Sequence, residues 1–321
     1  MRKVAAETAV AGRADGARPR HRAVRLSLRD RVTVGVMVGV PLLVVAGLIW
    51  LPTALSIGLS FTNWDGIGAL GHIPSTWVGG LNYHQIATIY PPFWPALRHN
   101  LYRLAFLTLV ATPFGMFLAY LLDKDLRGTR IYQSVFFLPV VLSLAIVGFI
   151  WQLIYSPTQG LLNNLFEDPQ HNHLIDFLGN PKINLWAILV AVGWRHAGYI
   201  MVLYLAGLKS VDPSLREAAA IDGASEWHAF RTVVFPAMKP INIVVAVVTV
   251  IEALRAFDIV YIINNGRNGL ELLSVLVTDN IIGEASRVGY GSAIAVILLT
   301  VSLVPISIFL WTRFRAEEAS A

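Results

Sequence analysis

Residues 217–236 read EAAAIDGASEWHAFRTVVFP, and this stretch decides how the rest of the chain is read. Just ahead of it, Asp212-Pro213 predicts a helix start: the carboxylate can cap free N–H groups, and proline loses nothing at the first helical position. Ser214 to Ile221 continues that helix, and three consecutive alanines leave one side nearly bare. Gly223 supplies a residue that takes positive φ and stops it. Ser225 is a second N-cap with Glu226 in the first turn. The helix it opens carries Trp227, Phe230 and Val234 at three- and four-residue spacing, and Pro236 ends it. The element is a bent helix pair, small at one end and bulky at the other.

Composition fixes the class of molecule around it. The 321 residues are 55% hydrophobic and only 14% charged, with mean hydropathy +0.60. Soluble domains are nearer a quarter charged, so the sequence predicts an all-α integral membrane protein in a lipid bilayer. There is no cysteine, hence no disulfide framework and no thiol metal site. The net charge of +5 sits beside apolar segments and calls for no nucleic acid. Residues 1–31 hold nine Lys or Arg against three acids. The apolar run after them is too long for a signal-peptide core, so this reads as a basic cytoplasmic tail before an uncleaved first span.

Six segments are long enough to cross about 30 Å of hydrocarbon: 32–59, 101–122, 131–155, 184–208, 241–263 and 290–311. With the N-terminus inside, eighteen of the twenty-five Lys and Arg fall in cytoplasmic segments, and residues 61–97 hold none. The positive-inside rule therefore places both termini and the 212–240 loop in the cytoplasm. The expected organisation is a tail (1–31), a first helix with outer loop (32–97), a five-helix core (98–312) and a short tail (313–321).

In the outer loop, Trp64, Trp77, Tyr83, Tyr90 and Trp94 fit interfacial anchoring, with contact to an external receptor as the alternative. Pro113 and Gly115 are expected to kink the second span. His171 and His173 lie in a polar outer stretch without acidic or cysteine partners at metal spacing, and read as solvated loop. Residues 272–282 are too short to span and read as a surface or re-entrant helix. Charges at membrane depth face a bundle interior or a water cavity. Glu252 and Arg255, three apart on one face, either neutralise each other or join Trp194, Tyr199 and Asp258 in a polar translocation path.

The 217–236 stretch resembles the signature loop of binding-protein-dependent ABC importer permeases. Glu-Ala-Ala, then Asp-Gly-Ala, then eight residues and hydrophobic-x-x-Pro (Val233 to Pro236) match, as do Leu205-Ala206-Gly207-Leu208 before it and Lys239-Pro240 after it. Phe257-Asp258 and Tyr290-Gly291-Ser292-Ala293 also resemble the family, and Phe136-Phe137-Leu138-Pro139 with Gly160-Leu161-Leu162-Asn163 resembles its carbohydrate branch (maltose, multiple-sugar or glycerol-phosphate). The turn after the fifth span departs from it, keeping glycines and lacking proline.

The resemblance implies a type I importer permease core whose coupling helix docks on a cytoplasmic ATPase. Glu217 would be a polar anchor and Gly223 the joint; Ala218 and Ala219 would give close packing, while Asp222, Ala224 and Pro236 complete the turns. It further implies a second homologous permease, two copies of the ATPase, an extracytoplasmic solute-binding protein and a sugar-like solute, in a bacterial-type cell membrane. No G-x-x-x-x-G-K-[ST] loop is present, so ATP and magnesium belong to the partner ATPase, and no cofactor or catalytic residue is expected here. The rival class is an ion-coupled secondary transporter, which would show internal repeats; none is visible between residues 32–155 and 184–311.

Overall fold

The computed structural model describes residues 27–67, 77–124, 127–166, 174–283 and 286–318. The tail up to residue 26, His171, His173 and the last three residues lie outside the described residues. The helices run in order α1 (Leu28–Leu59), α2 (Leu81–Thr88), α3 (Phe93–Leu122), α4 (Thr129–Val141), α5 (Leu144–Ile154), α6 (Leu161–Phe166) and α7 (Asn184–Ser210). They continue with α8 (Pro213–Ile221), α9 (226–237), α10 (Lys239–Leu254), α11 (Asp258–Asn264), α12 (Leu273–Ile281) and α13 (Val288–Glu318).

The chain divides into two units, Met1–Thr53 and Ala54–Ala321. The first begins with a Ser27–Asp30 capping box, in which each residue satisfies the other's backbone N–H. The second holds the packing clusters and both candidate sites described below.

Four helices, α1, α3, α7 and α13, are long and apolar enough to cross a membrane; α4 and α5 together pass the same test. Two of the expected spans are not single helices. The segment 131–155 breaks where Leu142 turns extended and Ser143 caps the Ile146 N–H, and α4 meets α5 at 102°. The segment 241–263 stops at Leu254, and α10 has only 16 residues, about 24 Å of helix. Two boundaries also move: the second span starts at Phe93, ahead of residue 101, and the last helix runs past Trp311 to Glu318.

Prolines shape several of these helices. The backbone widens by one residue over Ala46–Trp50, Leu107–Ala111 and Phe230–Val234, and each wide turn ends two residues before Pro52, Pro113 or Pro236. A proline cannot bond the carbonyl four residues back and its ring collides with it, so the preceding turn opens to make room.

α7 is the axis of the larger unit, with two-thirds of its apolar window buried. In lipid there is little hydrophobic drive between helices, so close packing of small residues takes over. Gly198 lies against the Phe136 backbone, where a Cβ would overlap that carbonyl oxygen. Around His196 the polar side chains bond one another: Thr112 Oγ1, Thr249 Oγ1 and His196 Nε2 form a triangle of 3.1, 3.1 and 3.3 Å.

A third packing centre joins α2, α3, α12 and α13 through Ile86, Phe93, Leu273, Leu276 and Ile294. The short α12 is packed inside this cluster, so its residues are no surface helix. Asn100 accepts the Leu273 N–H at 3.4 Å, which fixes where α12 begins. Tyr83 and Tyr90 also pack here, Tyr83 donating to Ser60 Oγ at 2.6 Å and Tyr90 lying edge-on to Tyr290. These two rings are therefore internal, whereas Trp77 and Trp94 stay exposed as anchoring requires.

Candidate functional site

The loop between α7 and α10 forms as its sequence requires. Asp212 accepts the Ser214 N–H at 2.9 Å, with Pro213 at the first helical position. That hydrogen bond holds the Asp212 carboxyl below its ordinary range, so the cap is charged at neutral pH. At the far end of α8, Gly223 takes φ +77. The Gly223 N–H reaches Ala220 O at 3.1 Å and the Ala224 N–H reaches Ala219 O at 3.0 Å. These paired bonds close the helix in a Schellman turn. No atom stands within 4 Å of where a Gly223 side chain would begin, so the glycine serves backbone shape and not space. Ser225 then caps α9 at the His228 N–H.

The turn projects one face outward. Glu217, Ala218, Asp222 and Gly223 are exposed, and Ile221 is 86% exposed, a large apolar side chain at the tip. Ala219 points the other way and is buried within the chain, so of the two alanines assigned to close packing only Ala218 faces out. Pro236 is exposed below the wide turn, and Ala224 is half-buried.

What the sequence did not indicate is how this loop is fastened. Arg216 Nη1 donates to Asp123 Oδ2 at 2.7 Å and its Nη2 to the Leu208 carbonyl at 2.9 Å. One guanidinium thus joins α8, the end of α3 and the end of α7. Lys124 pairs with Glu226 at the start of α9 and lies over the Tyr120 ring. The pair holds the Glu226 carboxyl below its ordinary range and the Lys124 ammonium above its own. Tyr120, Trp227 and Phe230 complete the clasp, Tyr120 and Phe230 with centroids 4.9 Å apart and Trp227 stacked on Phe230 at 5.5 Å. Phe230, Val234 and Met238 continue into the apolar cluster of α3 and α7. Between loop and helix ends remains a cavity of about 260 Å³, lined by Lys124, Arg216, Glu226 and Phe230 among others.

The second candidate region lies among the spans. A cavity of about 160 Å³ is lined by Arg103, Glu252, Arg255, Phe257 and Asp258. It gathers three of the five expected path residues. Trp194 is apart from it, edge-on to Trp151 at 5.8 Å, and Tyr199 packs against the α3–α7 cluster. The expected Glu252–Arg255 pair does not form. Glu252 instead faces Arg195 of α7 at 3.9 Å, and no ion pair joins it to Arg255 among the described residues. Arg195 takes the carboxylate from the neighbouring helix, while Arg255, its backbone N–H still hydrogen-bonded to the Ile251 carbonyl at the helix end, lines the same cavity without pairing to Glu252. Arg103 lines this cavity too; it was not singled out, although a charge inside the apolar segment 101–122 is the same signal that marks Glu252 and Arg255.

Among the described residues no group of three or more His, Cys, Asp or Glu is placed to hold a metal ion.

With this geometry in place, comparison with known proteins is informative. A probable ABC transporter permease protein of Pyrococcus horikoshii is 31% identical over 283 residues, covering 87% of this chain and 95% of its own. A xylose/arabinose import permease protein of Haloferax volcanii is also 31% identical over 283 residues, covering 86% of each chain. In a solved bacterial ABC transporter involved in import of the acidic polysaccharide alginate, one chain shares the fold with TM-score 0.74 at 20% identity, over 89% of this chain and 96% of that one. Residues 111–316 match the model of the binding-protein-dependent transport system inner membrane component family. A multi-pass helical chain with this loop, matched over that length, belongs to that family of ABC transporter permeases.

Proposed function

We propose that the chain is one translocation subunit of an ATP-driven importer. It would pass a sugar or related solute from an extracytoplasmic binding protein into the cytoplasm. In this reading it pairs with a second homologous permease and rests on two copies of an ATPase, which hold ATP and magnesium. Both termini and the 212–240 loop lie in the cytoplasm, in keeping with the charge distribution.

One observation carries the proposal: the loop is both projecting and anchored. Its tip offers Glu217, Ala218 and Ile221 to a partner, while its base is tied to α3 and α7 through Arg216 and Lys124. A force applied at the tip reaches two membrane helices through short, charge-assisted contacts. When ATP closes the ATPase dimer, the two coupling loops approach, α3 and α7 rock with them, and the path opens to the other side. The sugar assignment draws on the Haloferax relative and on the carbohydrate-branch motifs.

The test is a mild-detergent purification of the tagged chain, comparing wild type with Glu217 and Gly223 variants. An ATPase that accompanies the wild type and falls away from the variants supports the assignment. A wild-type chain that emerges alone and moves solute on an ion gradient overturns it in favour of secondary transport.

A further inference from the structure

We infer that the cavity between α3, α10 and α11 is a site for one anionic group, so that the solute passing it is an acidic sugar. This rests on the importer reading above and names the solute class for it. The first observation is a shortage of carboxylates. Arg103 is 5% exposed, its guanidinium keeps its charge at any ordinary pH, and it is in no ion pair among the described residues. Its Nη2 reaches only the Glu252 carbonyl, at 3.5 Å, and its Nε is buried without a hydrogen-bond partner. The Glu252 carboxylate is engaged by Arg195, whose own Nε is likewise unpartnered. One carboxylate thus stands between two guanidiniums.

A buried charge without a partner costs several kcal/mol, and sequences keep such groups at membrane depth where they meet a ligand. Arg255 adds a second cation on the cavity wall. Asp258 opposes it; both are exposed, and Asp258 sits in the first turn of α11, where the helix N-terminus favours its negative charge. Counting Arg195 behind Glu252, three guanidiniums face two carboxylates.

Size and shape complete the argument. About 160 Å³ holds roughly five waters at the volume each takes in the liquid, room for one carboxylate with part of a ring. Phe257, stacked on Tyr261 at 4.8 Å, gives that wall an aromatic face beside the cations. A planar guanidinium suits a carboxylate, and an aromatic ring suits the C–H face of a sugar.

The experiment titrates the purified full-length chain, with the subunits that accompany it, against galacturonate, galactose and sodium phosphate at matched ionic strength. The heat of binding is the readout. Galacturonate is expected to give a saturable change that galactose does not. Arg103→Gln should weaken it at least tenfold, Arg103→Lys should recover part of it, and Asp258→Asn should tighten it several-fold. If Arg103→Gln fails to fold, the Asp258→Asn titration decides. Equal responses to galacturonate and galactose, a response indifferent to both Arg103→Gln and Asp258→Asn, or saturation by phosphate alone would each overturn the inference. None of these changes touches the loop, so an ATPase that still accompanies the variants shows that the solute assignment failed and the importer reading did not.

Discussion

The coupling loop and the membrane cavity are built by opposite means. Every turn of the loop follows from residues within four positions of it: Asp212 and Ser225 cap their helices, Gly223 reverses the backbone, and Pro236 opens the turn before it. The cavity follows from none of its local signals. Its charges meet across α3, α7 and α10, and the one pair that helical spacing proposed, Glu252 with Arg255, is replaced by Glu252 with Arg195. Local chemistry gives the loop a shape of its own that a partner can grip. Long-range chemistry makes the cavity depend on how the helices pack.

This contrast can be attacked from its strong end first. Gly223→Asp places an L-residue at φ +77, where the left-handed backbone costs about 1–2 kcal/mol, and puts a carboxylate on the exposed tip. Uptake should fall more than tenfold with insertion largely intact, and ATP hydrolysis should no longer follow transport. Normal uptake at normal membrane levels would remove Gly223 from the coupling role. Next, Arg216→Gln cuts the tie from α8 to Asp123 and Leu208. Uptake should drop several-fold while the ATPase still binds, because the tip is unchanged. Loss of the ATPase instead would mean that the tie shapes the tip and transmits nothing.

The packing side is tested by stability. Gly198→Ala forces a methyl against the Phe136 carbonyl, and overpacking of this kind costs about 1–3 kcal/mol. Thermal unfolding in detergent should shift down clearly. Thr249→Val removes one corner of the His196 triangle while Thr112 remains at 3.1 Å from the ring, so a loss of about 1 kcal/mol is expected.

The smallest effect is at Lys124→Gln, since the Lys124–Glu226 pair is solvent-exposed. Its sign with pH is defined. Glu226 has a depressed pKa, so its share is present above the ordinary 4.5 and fades as pH falls through its lowered folded value. Lys124 is raised, so its share is present below 10.5 and fades as pH rises through its higher folded value. Wild type should therefore exceed the variant slightly between those limits and match it in acid. A difference that persists in strong acid would show that Lys124 acts through the Tyr120 ring and not through charge.

How much was legible follows the same line. The loop's caps and joint were readable, because each is a short-range bond between named residue types, whereas Pro236, read as the end of the second helix, lies inside α9, which runs on to Ala237. The loop's clasp was not readable: Arg216 and Asp123 are 93 residues apart, and a charged residue at the end of a span looks the same whether paired or solvated. Span positions were readable from apolar length, but the breaks at Leu142 and after Leu254 were not, since neither carries a Gly or Pro at the break itself. Pro139 lies three residues before the first and leaves α4 helical around it. Tyr83 and Tyr90 were assigned to the bilayer surface by composition alone, and tertiary packing drew them inward. Arg103 carries in sequence only the general signal of a charge inside an apolar segment; its burial and its missing partner single it out.

The central claim is that the outward face of α8 is what the ATPase grips. The chain has no cysteine, so single cysteines can be placed cleanly. Ile221→Cys and Ala219→Cys sit on opposite faces of the same helix, one at the exposed tip and one buried. In membranes carrying the whole transporter, a short thiol cross-linker should join Ile221→Cys to the ATPase, in an ATP-dependent manner, and leave Ala219→Cys unlinked. Equal linking at both positions, or none at Ile221→Cys while the ATPase remains bound, would place the drive elsewhere and contradict the account.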